Sequence, residues 1–428
     1  MISVDDYAAS ILAQLGTLPA EQVDLNQALG RLLRADVHAQ VTLPPWPNSA
    51  MDGYAVHALE LRGASAESPA TLPVVADIEA GSTTKFVLEA GTAARIMTGA
   101  PIPQGCTAVV AVERVQGWDP AIHTVNVMPP AEVTFIESTA EGANIRLAGE
   151  DALAGDLVLP AGERLTAPRI AACAAAGAST VSVSRHVRVG IITTGTELVE
   201  PGRELEWGQI YDSNGPLVRG MVETVGAEVV SITRVPDDAP ELFAAVREAS
   251  TSCDVIILTG GASVGAYDTT RLVLDRSYVS DDDPVADEFR RVTFQSVAMQ
   301  PGKPQGFGVL DSGARVWALP GNPVSVWVSF QMFIEPALAA LQGSLTPATS
   351  WIAATAAQSW KSPTGREQFM PVIVASASGE TLKVAPASAR GSGSHLAASL
   401  GRMTAMARVA AEVTEVAEGD TVLVKGLI

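Results

Sequence analysis

Two hydrophobic rhythms divide the chain. From about residue 183 onward, apolar residues come in short unbroken runs: "VRVGIITT", "AEVVSITRV", "CDVIILTG", "VTFQSVAM" and "RVWALP". Several are separated by stretches with helical spacing, such as "DSNGPLVRGMVETVG" and "APELFAAVREAST", and the series ends in "PVSVWVSFQMFIEPALAAL". Strands apolar on both faces that alternate with helices predict a mostly parallel α/β sheet. Residues 27–143 are different. Short segments such as "LPVVADI", "TAVVAVERV" and "HTVNVMP" are cut by Gly and Pro, which predicts a small β-rich domain. Residues from about 345 onward return to alternating strands ("FMPVIVAS", "TLKVAPA", "DTVLVKGL"), read as a separate C-terminal β-barrel or sandwich. Two more helices are expected. One covers about residues 4–15; the other is "LTAPRIAACAAAGAS", with Thr166 as cap, Pro168 in the first turn and Gly177 as stop.

The turns that follow the apolar runs share a chemistry. They are "TGTELVEPG", "PDD", "TGGASVGAYD", "QPGKP" and "PGNP". In a parallel sheet these loops all leave at the carboxyl edge, where ligands of open α/β sheets bind. Glycines let backbone N–H groups approach an anion, and a following helix N-terminus favours negative charge. The same loops carry the carboxylates Glu197, Asp212, Asp237 and Asp268. Acids lining an anion pocket require a hard cation between them, and Mg²⁺ bridging carboxylates to phosphate oxygens satisfies that requirement. Asp212, Ser213 and Asn214 are also candidate caps of the helix that follows them. Lys303 is a candidate anion contact. Two further loops, "PPWPNSAMDGYAV" and "RIMTGAPIPQG", are stiffened by Pro and Gly around one acid, Asp52, and one hydroxyl, Thr98.

Charge and cysteine usage narrow the function. The 428 residues carry a formal net charge of −19, which argues against nucleic acid or an anionic membrane as partner. No apolar run reaches the roughly 20 residues of a membrane span. The N-terminus carries Asp5 and Asp6 and reads as a helix rather than a signal peptide. The three cysteines, Cys106, Cys173 and Cys253, are widely spaced, as expected of a chain in a reducing cytoplasm. There is no GxxxxGK[ST], no GxGxxG spacing, no GxSxG and no HExxH.

Seven segments occur in an order that resembles the molybdopterin molybdenumtransferases, the bacterial MoeA-type enzymes and the E domain of gephyrin. They are "PPWPNSAMDGYAV", "RIMTGAPIPQG", "GIITTGTELVEPG", "IYDSNGPLV", "ILTGGASVGAYD", "AMQPGKPQGFG" and "ALPGNPVS". The resemblance spans the chain from about residue 4. It implies an elongated homodimer of four domains: an extended linking domain (1–26 and 144–182), an inserted β-rich domain (27–143), an α/β molybdopterin-binding domain (183–342) and a C-terminal β-barrel (343–428). It implies Mg²⁺-dependent insertion of molybdenum from molybdate into adenylylated molybdopterin, with release of AMP. By motif position, Glu197 and Asp268 would be acid or metal residues, and Asp52 and Thr98 would reach the cleft from the partner subunit. Thr194, Gly195, Asp212, Ser213, Asn214, Asp237, Gly260, Gly261, Ser263, Gly265, Pro320, Asn322 and Pro323 would cradle the substrate. Lys303, Arg366, Ser392 and Ser394 would face the oxyanion.

The sequence departs from the family pattern twice. Gln300 stands where many members have lysine, which shifts the oxyanion's charge balance onto Lys303 and Arg366. The acidic stretch around 280–288 is longer than usual and reads as a solvated surface loop. Three rival functions are a molybdopterin adenylyltransferase, a gephyrin-like scaffold without catalysis, and a hydrolase on a related domain. The first would lack "PPWPNSAMDGYAV" and the C-terminal barrel. The second would have lost acids that are present here.

Overall fold

A computed structural model describes residues 1–118, 128–261, 268–277, 289–344, 350–378, 381–388, 391 and 393–426. Ser263, Gly265, Ser392, the acidic stretch 280–288 and most of "HTVNVMP" lie outside the described residues.

The predicted α/β sheet is present, with six strands in the spatial order Glu228–Val235, Arg188–Thr194, Val255–Thr259, Arg315–Leu319, Pro304–Val309 and Thr293–Ser296. The first four are mutually parallel. Pro304–Val309 runs against both of its neighbours. Thr293–Ser296 therefore points the same way as the parallel four, so all five predicted loops leave at one edge.

The reversed strand, "PQGFGV", carries Pro and two glycines, residues that weaken a strand interior. Packing explains the glycines. A Cβ on Gly306 would come within 2.9 Å of Ala318 Cβ and Phe294 Cε1, and one on Gly308 within 2.3 Å of the Arg291 carbonyl. The strand sits too tightly between its neighbours to carry side chains at those positions.

Helix Asn214–Thr224 is capped by Asp212, whose Oδ1 accepts from the Asn214 and Gly215 amides at 3.0 and 3.1 Å. Ser213, at the N-cap position, makes no such bond. Asp238 caps helix Ala239–Ser250. Thr166 precedes helix Ala167–Ala175 as expected, but its hydroxyl makes no capping bond.

The apolar stretch at 323–342 forms one continuous helix. Its central turn, Phe330–Ile334, widens to π geometry just before Pro336, a residue with no N–H to give the preceding turn. The expectation that no apolar run reaches span length does not hold for this helix: by length and composition it passes as a membrane span, but 72% of its apolar window is buried inside the protein, as in a core helix. Its neighbours include the first helix, Val4–Leu12, where Tyr7 meets Phe333 edge-on at 4.9 Å.

Strand Ala20–Asp24 pairs with Thr180–Ser184, and Val37–His38 pairs with Leu157–Leu159. These strands and helix Ala167–Ala175 share a core that includes Leu33, Leu165, Cys173 and Val183. Residues 53–135 contribute a five-stranded sheet around Tyr54 and Phe135. Near the C-terminus the strands Glu367–Ser378, Thr381–Pro386, Ile352–Ala356, Thr421–Gly426 and Ala405–Val409 pair in a closed ring. This is a five-stranded barrel, which removes its own edges.

Candidate active site

At the carboxyl edge, strand ends and loops form a cradle with little room for side chains. Gly260 has φ +105°, and a Cβ there would stand 2.5 Å from both the carbonyl and the hydroxyl oxygen of Thr194. A Cβ at Gly321 would lie 3.5 Å from the Gly260 Cα. Among the described residues, Thr194 Oγ1, Thr259 Oγ1 and Asn214 Oδ1 are buried in this region with no hydrogen-bond partner. The Asn214 amide is oriented by its Nδ2, which donates to the Gly321 carbonyl at 2.7 Å. Buried orphan acceptors and hydroxyls are costly without a partner.

The predicted carboxylates divide into different kinds. Asp212 is buried and consumed internally: besides capping the helix it accepts from the Thr193 hydroxyl at 2.9 Å and lies 3.6 Å from Arg234 Nε. Asp237 ties two loops together, accepting from the Thr196 amide at 3.3 Å while its own amide donates to the Thr196 hydroxyl. Glu197 is exposed and folds back so that its Oε2 would meet a Cβ on Gly195 at 2.7 Å. Asp268 is half-buried, accepts from the Arg271 amide at 3.3 Å, and has Oδ1 3.0 Å from the position of a Gly261 Cβ. Glu197 and Asp268 thus belong to neighbouring loops joined through the Thr194–Gly260 contact. Among the described residues no group of three or more His, Cys, Asp or Glu gathers as a metal nest. Two carboxylates with hydroxyl neighbours fit Mg²⁺, a hard cation that usually takes one or two carboxylates and leaves its other positions to water and substrate phosphates.

The "QPGKP" and "PGNP" loops enclose a cavity of about 270 Å³ lined by Gln300, Lys303, Pro320, Asn322, Ser325 and Ser394, among others. Ser394 reaches in from the C-terminal segment, where its hydroxyl accepts from Asn322 Nδ2 at 3.0 Å. Arg366, from the barrel, donates through Nη1 to Gln300 Oε1 at 2.9 Å. Neither Lys303 nor Arg366 has a carboxylate partner among the described residues, in a chain with 47 acids to 28 bases. Sequence reasoning missed Thr259, Gly321 and Ser325. The first two adjoin turn glycines at strand ends, a detectable signal, whereas Ser325 reads as one more residue of an apolar helix.

Asp52 and Thr98 come together on the β-rich sheet. The Thr98 amide and hydroxyl both donate to Asp52 Oδ1, at 2.6 and 2.8 Å. Gly53 lets this happen: a Cβ there would strike the Val110 carbonyl at 2.0 Å, so only glycine allows the neighbouring strand to pass. Both residues are exposed.

Family models match almost the whole length. Residues 2–177 match the MoeA N-terminal region (domain I and II), 190–340 a probable molybdopterin binding domain, and 353–427 the MoeA C-terminal region (domain IV). A molybdopterin molybdenumtransferase 2 of Mycobacterium tuberculosis is 37% identical over 419 residues, covering 98% of each chain. The chain belongs to the MoeA-type molybdopterin molybdenumtransferase family. A molybdopterin molybdenumtransferase of Haemophilus influenzae is 36% identical over 80% of this chain and 78% of its own. The crystal structure of a molybdopterin biosynthesis MoeA protein from Pyrococcus horikoshii superposes with a TM-score of 0.77 at 28% identity, covering 100% of this chain and 99% of that one. For a MoeA-type chain, the cradle at the sheet edge lies within the segment matched by the molybdopterin-binding model, and Arg366 and Ser394 within the C-terminal one.

Proposed function

We propose that this member of the family inserts molybdenum from molybdate into adenylylated molybdopterin and releases AMP. Molybdenum cofactor biosynthesis and transferase chemistry come with the family itself. The observation that carries the finer reading is the pairing of two opposite features at one sheet edge. A glycine cradle with orphaned hydroxyls and two carboxylates stands beside a small cavity lined by Lys303 and by Gln300, the hydrogen-bond partner of Arg366, and among the described residues neither cation has a carboxylate partner. The first end suits a pterin phosphate and adenylate, and the second a tetrahedral dianion.

In this reading Thr194, Gly195, Asn214, Gly260 and Gly261 bind the phosphate-rich part of the substrate, together with Ser263 and Gly265 of the same loop. Asp212, Ser213 and Asp237 hold the loops that carry them. Pro320, Asn322 and Pro323 form the wall between the two ends. Glu197 and Asp268 would hold Mg²⁺, which, when bound, neutralises phosphate charge and polarises the phosphoanhydride. Lys303, Arg366, Ser392 and Ser394 orient the oxyanion through charge-assisted hydrogen bonds.

The same proposal makes the protein a cytoplasmic homodimer whose cleft is shared between subunits, with the four-part division expected from the sequence except that residues 28–38 pack with the linking part, through the core shared by Ala28, Leu33 and Val37 with Leu165, Cys173 and Val183. Exposed apolar residues flank both halves of the site. Trp46 and Met51 lie near Asp52 in the chain, Leu147 follows the strand that pairs with Asn48–Ser49, and Leu205, Trp207, Ile210 and Tyr211 follow Glu197.

The test is molybdate-dependent release of AMP from adenylylated molybdopterin. Lys303→Ala is expected to raise the molybdate concentration for half-maximal rate by about 10- to 150-fold, the equivalent of roughly 1.5–3 kcal/mol for a charge-assisted bond. Binding of the adenylylated pterin should change little. AMP release that ignores molybdate would indicate a hydrolase, and pyrophosphate released from ATP would indicate an adenylyltransferase.

A further inference from the structure

We propose that Gln300 is a positioning residue: its side-chain carbonyl holds the Arg366 guanidinium of the C-terminal barrel at the oxyanion end of the cleft, without neutralising it. The proposal rests on the molybdate reading of that cavity.

Three observations support it. The first is the frame. Met299 and Gln300 pair in parallel with Glu367 and Gln368, and the Glu367 amide donates to the Ala298 carbonyl at 2.9 Å. Gln300 and Arg366 therefore start from backbones locked to each other across the junction of sheet domain and barrel. Their hydrogen bond of 2.9 Å spans that junction.

The second observation is where the neighbouring acid goes. Glu367 follows Arg366 in the chain and opens the strand Glu367–Ser378. It is taken by Arg408, whose Nε bonds Glu367 Oε2 and whose Nη2 bonds both Asp5 oxygens at 3.0 Å. Burial works against the Arg408 charge, yet these two carboxylates hold its pKa above the ordinary arginine value. Among the described residues, the side-chain partner of Arg366 is a neutral acceptor, Gln300 Oε1.

The third is the chemistry of an amide in that place. A guanidinium has five N–H donors, and one bond to Gln300 fixes its plane while leaving four for a ligand. A carboxylate at 300 would cancel the charge, and a lysine would repel the guanidinium and offer it no acceptor. Gln300 itself lines the 270 Å³ cavity with Lys303, Ser325 and Ser394. A fixed cation loses less entropy on binding an anion than a free one.

The experiment is a double-mutant cycle on the full-length enzyme. The half-saturating molybdate concentration is read in turnover, and direct binding of molybdate or tungstate is read by calorimetry. Gln300→Leu keeps the volume and removes the acceptor. It should raise both values about three- to tenfold, with rate at saturating molybdate, adenylylated-pterin binding and melting temperature held. Gln300→Glu should weaken binding further by neutralising Arg366. Gln300→Leu combined with Arg366→Ala should be no worse than Arg366→Ala alone, because Gln300 acts only through the guanidinium. An unmoved half-saturation in Gln300→Leu, or full additivity in the double mutant, would overturn the proposal. If Arg366→Ala itself leaves molybdate binding untouched, the oxyanion reading of the cavity is what fails, and the Gln300 role falls with it.

Discussion

Asp268 has one role in the fold and a second in the proposed chemistry. It caps the helix Thr269–Leu274 through the Arg271 amide, and it stands at the end of the glycine loop where a cation would sit. Asn caps helices about as well as Asp, so Asp268→Asn should keep the fold and lose only charge. The expected outcome is at least a roughly 100-fold loss of turnover at saturating Mg²⁺ with an unchanged melting temperature. Near-normal turnover would remove Asp268 from the chemistry. Gly260 shows the opposite case, a residue chosen for what it lacks. At φ +105°, with Thr194 oxygens 2.5 Å from any Cβ, Gly260→Ala should cost about 1–3 kcal/mol in denaturant unfolding. A stable, active Gly260→Ala protein would mean that the cradle is looser than described. The glycine-rich loop was legible in the sequence as a site for this reason: residues without side chains contribute nothing to a core. That Asp212 caps its own helix was one of the readings its position offered, whereas its contact with Arg234 was not legible, because Asp212 precedes the helix Asn214–Thr224 and Arg234 lies on the strand after it.

At the scale of elements, the strand Pro304–Val309 is the instructive one. Its glycines weaken it as a strand by propensity, and those same glycines are what the neighbouring strands require. The opposite edge of the sheet carries a charge cluster with a testable pH signature. Asp254 accepts from Arg185 Nη1 and Nη2 at 2.7 and 2.6 Å and from the Arg188 amide at 2.9 Å. Burial alone would raise its pKa. The hydrogen bonds from Arg185 and Arg188 and the charges of Arg185 and Arg315 outweigh burial and pull it below the ordinary carboxylate value. A lowered folded pKa adds stability above the unfolded pKa of about 3.9, and that stability is lost as pH falls through the folded value. Asp254→Asn should therefore cost about 1–3 kcal/mol near neutral pH, a range discounted for the part-exposed Arg185. The gap between mutant and wild type should narrow below about pH 4 in urea unfolding. A gap that stays constant down to pH 2 would show that the ion pair does not contribute.

For the whole molecule, the shared-cleft proposal predicts complementation. Asp52→Ala and Asp268→Ala each damage both clefts of a two-fold dimer. In a hybrid dimer one cleft collects both lesions and the other none. Random mixing gives about half hybrids, so about a quarter of wild-type sites return, and purification through two tags should raise this to about half. If each cleft is built within one chain, every site in the hybrid keeps one lesion and activity stays at the single-mutant level.

By itself the sequence determined the division into β-rich, α/β and C-terminal β parts, the helices that Gly177 and Gly226 stop, and the collection of loops at one sheet edge. Those are local matters of periodicity and turn chemistry, settled within a dozen residues. The tertiary structure decided what depends on distant partners. It closed the C-terminal strands into a barrel, reversed a glycine strand inside the sheet, and turned an apolar stretch of membrane-span length into a core helix against Tyr7 and its neighbours. It also gave Glu367 to Arg408 and so left Arg366 to Gln300. No pattern along the chain encodes such a choice, because which acid meets which base is set by the three-dimensional packing that brings residues 5, 300, 366 and 408 to one junction.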